Sequence, residues 1–441
     1  MSIRVSKGLL RATLLLALSF ALAMPASAIP AFARKYGLRC TSCHESWPVL
    51  NDYGRNFRDN GYQLRLGKDD VVTASPGYWP VAVHVTPHYE YVSATNQPTD
   101  QGSKTISTGG IADSAIDLLM AGTLTKNISF LVVPSGFASD GTAKLESYWA
   151  YFSRVIGNSD WLNIRVGKHE VDLPASPHRG ISLTSSYLVY GFHPGPAENA
   201  GAQFDLGENQ RGVEFTGHDK ASQLRYSLSV FSGHDANGSR HALSAPSFYG
   251  HLQKYIPFQS GLISQAEIGV WGAYAHYPTS FFTAGGTPIP GSGGDLRATT
   301  RYGLEAQLWL NQLVAPLHLN LVYARGTDNK ELFAGGVADR DGTWNGGFLE
   351  AIWVPATDLL HWGIFGRYDL IRNQQQPVAG TPKSLNDQDQ IAAGVRYTIA
   401  YSNRDEVGFH VEYASNRAKG VGADGTDMRT NTLFLGVDFL Y

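Results

Sequence analysis

Two thiols and an imidazole stand together near the start of the chain, in the run Cys40-Thr41-Ser42-Cys43-His44. In a C-x-x-C-H run, each thiol can form a thioether to one haem vinyl group, and the following histidine faces the iron from the proximal side. The pattern therefore predicts one covalently attached haem c, with Cys40 and Cys43 as tethers and His44 as a ligand to the metal. Cys40 and Cys43 are the only cysteines in the chain. No thiol remains for a structural disulfide or a four-cysteine metal site. A thioredoxin-like dithiol is the rival reading, but that motif accompanies a βαβ pattern, and none is present here.

The elements around this run say where it would work. Residues 1–28 read as a secretory signal peptide: Arg4, Lys7 and Arg11 form a basic start, Thr13 to Met24 an apolar stretch, and Ala26-Ser27-Ala28 a small-residue cleavage site. The apolar stretch is short for a bilayer span of about 20 residues, which disfavours a membrane anchor. Residues 29–75 form a small, partly helical segment. Pro48 is placed to open a helix carrying Leu50, Tyr53, Phe57 and Tyr62, with Gly61 to end it. Segments of this size seldom bury enough apolar surface to stand alone, so the haem and a larger partner surface must complete the core.

Residues 76–441 supply that surface. Stretches of about ten residues alternate in polarity and are separated by turns. Val81, Val83, Val85, Tyr89 and Tyr91 share one parity, while Ala82, His84, Thr86, His88 and Glu90 share the other. Tyr302, Leu304 and Leu308 oppose Arg301, Glu305 and Gln307. Val407, Phe409, Val411 and Tyr413 oppose His410 and Glu412. A soluble sandwich also alternates, so connection lengths decide. About sixteen strands are expected, with short turns after even-numbered strands and mostly longer, Gly- and Asp-rich loops after odd-numbered ones. Lys126-Asn127 is one such turn, and Pro278 to Asp295 one such loop. The last strand alternates up to the aromatic Tyr441, and Trp79, Trp161, Trp353, Trp362 and Tyr401 sit where an interfacial girdle belongs. The expected fold is thus an all-β, antiparallel outer-membrane β-barrel, against which the small N-terminal segment packs. The longest connection, about Leu173 to Phe204, is compatible with either an inward or a surface path.

The chain carries a formal net charge of −3, and the 1–28 stretch accounts for +3, leaving −6 for the rest. This mild acidic balance, without a basic patch, argues against nucleic acid as a partner. A distal haem ligand is harder to find. Met120 and Met428 are the only methionines after residue 28. The first sits on the lipid-facing parity and the second at the far rim. His84 or His88, on the lumenal parity of the first strand, is the expected alternative; a five-coordinate iron is another.

Pro30, Phe32-Ala33-Arg34, Tyr36-Gly37, the C-x-x-C-H run, Pro48, Leu50-Asn51, Tyr53-Gly54 and Phe57 together resemble the fused monohaem cytochrome–porin family. That family includes the outer-membrane iron oxidases of iron-oxidising bacteria. The likeness in specific motifs is confined to residues 30–62, whereas the likeness in architecture spans the mature chain. It implies a partly helical cytochrome c segment plugging the lumen of a barrel of about sixteen strands, and electron transfer from an extracellular donor, iron(II) in the oxidases, to a periplasmic cytochrome. Two other functions compete: a diffusion porin gated or informed by haem, and electron export to an outside acceptor. No Gly-x-Ser-x-Gly elbow, Walker loop or His-Glu-x-x-His supports a hydrolase or phosphotransferase.

Overall fold

In a computed structural model the described residues are 31–38, 40–46, 49–64, 70–72, 80–100, 102–113, 116–136, 144–157, 159–194, 205–219, 221–232, 246–278, 281–282, 288–289, 296–310, 316–333, 338–357, 360–401 and 406–440. The expected signal peptide, the 75/76 boundary, Pro48, Trp79 and Tyr441 lie outside them.

Alternation of apolar and polar side chains builds a closed antiparallel barrel. Its hydrogen-bonded pieces join into sixteen strands. The first strand runs through Val81–Val85 and Pro87–Thr99, and the second through Gly102–Asp113 and Ile116–Thr125. The twelfth joins Gly342–Trp353 to Ala356–Thr357. The last strand, Met428–Leu440, closes on the first with Leu440 opposite His84 and Gly436 opposite His88. Closure leaves no sheet edge, which is what a hydrocarbon environment demands.

The two parities separate as expected. Tyr302, Leu304, Leu321, Tyr368, Phe409 and Val411 are 44–57% exposed on the outside, while Arg301, Glu305, Arg367, Asp369 and Glu412 are at most 5% exposed inside. A charge at mid-bilayer on the lipid face costs about 2–4 kcal/mol, so this sorting is the main energetic constraint on register. Trp161 and Trp353 stay exposed near the short-turn rim. The chain is therefore an outer-membrane barrel with short periplasmic turns. The first connection, 100–101, is a short one on the long-loop side; the fifth, 170–209, is the longest.

That fifth connection, whose path the sequence left open, turns inward. Val171, Leu173, Tyr187, Val189, Tyr190 and Phe192 pack on lumenal Tyr249, Trp271, Trp344 and Phe348 in one buried cluster. Tyr187 lies 4.5 Å from Phe348, and Phe192 meets Trp344 edge-on at 5.4 Å between ring centres. Wall carboxylates and guanidiniums also bond to this loop. The Tyr187 hydroxyl donates to Glu350 at 3.0 Å, and Arg367 donates to the carbonyls of Ser185 and Ser186 at 3.0 and 2.9 Å.

The N-terminal segment occupies the short-turn mouth. Its helix is Asp52–Asp59, shorter than the sequence periodicity suggested. Asn51 caps it by accepting from the Gly54 amide at 2.9 Å, so Leu50 precedes the helix in a short strand and Tyr62 follows it. Gly61, at φ +70, makes the left-handed stop. The helix is tied to the wall at both ends. Asp59 accepts from Arg225 at 2.8 Å and Gln265 donates to Asp52 at 3.2 Å. Arg55 lies over the Trp309 ring at 4.3 Å. Before it, the helix Ala31–Tyr36 is held by Lys35 donating to Thr123 at 2.7 Å.

Candidate functional site

The C-x-x-C-H run folds as one helical turn, Cys40–Cys43, entering a short strand, His44–Ser46. Helix Asp52–Asp59 clamps this turn: the Asn51 amide donates to the Cys43 carbonyl at 3.0 Å and the Asn51 side chain to the Ser42 carbonyl at 3.2 Å. At Gly54 a Cβ would stand 2.1 Å from the Cys43 oxygen, so only glycine permits the approach. The motif is thereby held on a rigid support.

Cys43 and His44 open onto an internal cavity of about 380 Å³. Phe32, Leu50, Phe57, Tyr62, Leu131 and Trp149 give it an apolar side. Arg165, Arg179 and Arg396 also line it, together with Asp117, Glu146, Glu170 and Asp438. Each guanidinium is paired with a carboxylate, Arg165 with Glu214, Arg179 with Glu170 and Arg396 with Asp438. Pro177 to Gly180, with Ser182 and Leu183 of the inward loop, cover it from the long-loop direction. Gly167, at φ +144, lies beside the wall residue Trp149, where a Cβ would stand 2.7 Å from the Trp149 Cα. A c-type haem would need two thiols, an imidazole for the iron and an apolar slot for its flat body. Cys43, His44 and the aromatic lining fit that group; the Cys40 side chain lies outside the described ones. Burial pushes the Cys43 thiol up to about 11, opposite to the low value a nucleophilic dithiol requires.

Aromatic rings connect the segment to the wall. Tyr62 stacks on Phe32 at 4.8 Å on one face and lies 5.5 Å from Trp149 on the other. Tyr62 holds φ +60, a strained backbone for a bulky residue.

The two expected distal residues are placed differently. His84 lines the cavity, but both its nitrogens face carboxylates, Nδ1 toward Asp117 at 3.5 Å and Nε2 toward Asp438 at 3.2 Å. His88 is not among the described residues lining the cavity. Its ring stacks on Phe434 at 4.5 Å and its Nδ1 lies 2.9 Å from the Thr86 carbonyl. Two further histidines line the cavity, His169 at the end of the fifth strand and His178 in the Ser176-Pro177-His178-Arg179 segment of the longest connection. Parity offered a signal for the first, since Asn163, Arg165, Gly167 and His169 alternate against Ile164, Val166 and Lys168.

No protein-family model matches the chain, and no curated protein matches it. Among solved structures, it is similar to the outer membrane channel DcaP of Acinetobacter baumannii, with 9% identity, a TM-score of 0.51, and 82% of this chain and 97% of that one covered. It is also similar to an anion-selective porin from Comamonas acidovorans, with 13% identity, a TM-score of 0.50, and 82% of this chain and 99% of that one covered. At such identities the likeness concerns the fold alone: this chain shares the barrel architecture of outer-membrane porins.

Proposed function

We propose that this barrel is an electron-transfer protein of the fused cytochrome–porin kind, carrying one haem c on Cys40, Cys43 and His44. The observation that supports this is the cavity where Cys43 and His44 meet an aromatic-lined slot and the inward loop. When bound, the haem supplies a one-electron iron(III)/iron(II) couple. The chain's own part is to hold the macrocycle, keep water from it and tune it through surrounding charge. The segment sits at the periplasmic mouth, within reach of a soluble electron-accepting cytochrome. The long-loop face would meet an extracellular donor, with iron(II) as the proposed substrate, and the inward loop lies between that face and the cavity.

The full chain, co-expressed with haem-attachment machinery and purified from membranes, should bind haem covalently. Rapid mixing with ferrous iron should raise the ferrous-haem absorbance. Haem that dithionite reduces and ferrous iron does not would remove iron(II) as substrate.

The porin-like barrel favours a second reading, a diffusion channel that the haem segment gates. Planar-bilayer recording separates the two. A large, steady conductance in the haem-loaded protein would support the channel, and near-silence the redox plug.

A further inference from the structure

We propose that His169, from the barrel wall, is the sixth ligand of the haem iron; this rests on the haem reading above. His169 ends the fifth strand, Asn163–His169, and is 2% exposed. Its Nδ1 lies 3.1 Å from the Glu170 carbonyl oxygen. A carbonyl only accepts, so Nδ1 carries the proton and Nε2 presents a bare lone pair. That Nε2 is buried and has no hydrogen-bond partner among the described residues. A stranded buried acceptor is costly and calls for an explanation.

The same cavity supplies one, because it also receives His44. A metal-binding histidine typically donates its other ring proton to a carbonyl or carboxylate, which sets tautomer and orientation. His169 already has that arrangement. Its position is also rigid. The neighbouring Glu170 carboxylate accepts from Ser176 at 2.7 Å and Arg179 at 2.6 Å, fastening the start of the inward loop beside it.

The other histidines suit the role less well. His84 has carboxylates at both nitrogens. The His178 Nδ1 lies 3.5 Å from Glu146 on a half-exposed ring. His318 also has unpartnered nitrogens, but it stacks on Trp309 at 4.2 Å and lines a neighbouring cavity that Cys43 and His44 do not reach. With one ligand from the segment and one from the wall, coordination would join the two parts of the chain across the iron.

The experiment compares the full chain with H169A, H169M, H84A, H178A and H318A variants, all carrying covalent haem measured by intact mass. The wild type should give a low-spin ferric spectrum by visible absorption and electron spin resonance. H169A should keep the haem mass, lose the low-spin signal and regain it on adding imidazole. H169M should stay six-coordinate with a higher midpoint potential, and serves if H169A does not assemble. A high-spin wild type overturns the inference, as does a low-spin H169A or a loss of signal in H84A, H178A or H318A instead. Absence of covalent haem in the wild type overturns the haem reading itself, and this inference with it.

Discussion

The lumen holds two inserts, and they are built on different terms. The inward loop is a finished piece of protein. Its apolar residues form a continuous buried cluster with the wall, and its backbone carries partners for wall charges such as Arg367 and Asp369. Among its described residues the N-terminal segment buries few apolar side chains. Phe57 is its main buried apolar side chain, and its helix is held chiefly by ion pairs and a cation–π contact. Its packing surrounds a cavity rather than a core. The loop thus packs mainly on the wall, whereas on the proposed haem reading the segment would be completed by the cofactor.

Separating the two tests this directly. Replacing both Cys40 and Cys43 by alanine should abolish covalent haem, read as loss of haem mass and Soret absorbance. The barrel should still assemble, read as unchanged heat-modifiable gel mobility. Failure to assemble would mean that the two inserts are not independent.

Excising 174–192 in favour of a short Gly-Ser linker should leave the barrel closed and raise single-channel conductance several-fold. An unchanged conductance would show that the segment, not the loop, sets the constriction. A milder cut at the same region is Trp344→Ala. Trp344 is fully buried and Arg301 lies over its ring at 5.1 Å. Losing it should destabilise the barrel by about 3–5 kcal/mol in denaturant titration.

The smallest effects belong to the segment. Asp59→Asn weakens its tie to Arg225 and should cost about 1–3 kcal/mol of docking, read as faster proteolysis of residues 31–64 with the barrel intact. The acid response follows from the same pair. Burial alone would raise the Asp59 carboxyl, but Arg225 and Arg58 outweigh it and hold it at about 2 against an ordinary 3.8. A carboxylate depressed in the folded state stabilises above its ordinary pKa and loses that contribution as pH falls through the folded value. Docking should therefore weaken as pH drops from about 4 to 2, and Asp59→Asn should flatten that window.

Local chemistry and period-two patterning were enough to specify the barrel, its outward face and the Cys40–His44 motif. Each depends on residues close in sequence, or on the rule that one side of every strand must be apolar against lipid. The helix start was misjudged because Asn51 competes for the Gly54 amide, a capping detail that apolar periodicity does not register. The path of the fifth connection and the sharing of one cavity by His169 and His44 were decided only by tertiary structure. Both depend on which wall charges and apolar faces meet across a closed cylinder, and no local window of sequence contains those partners.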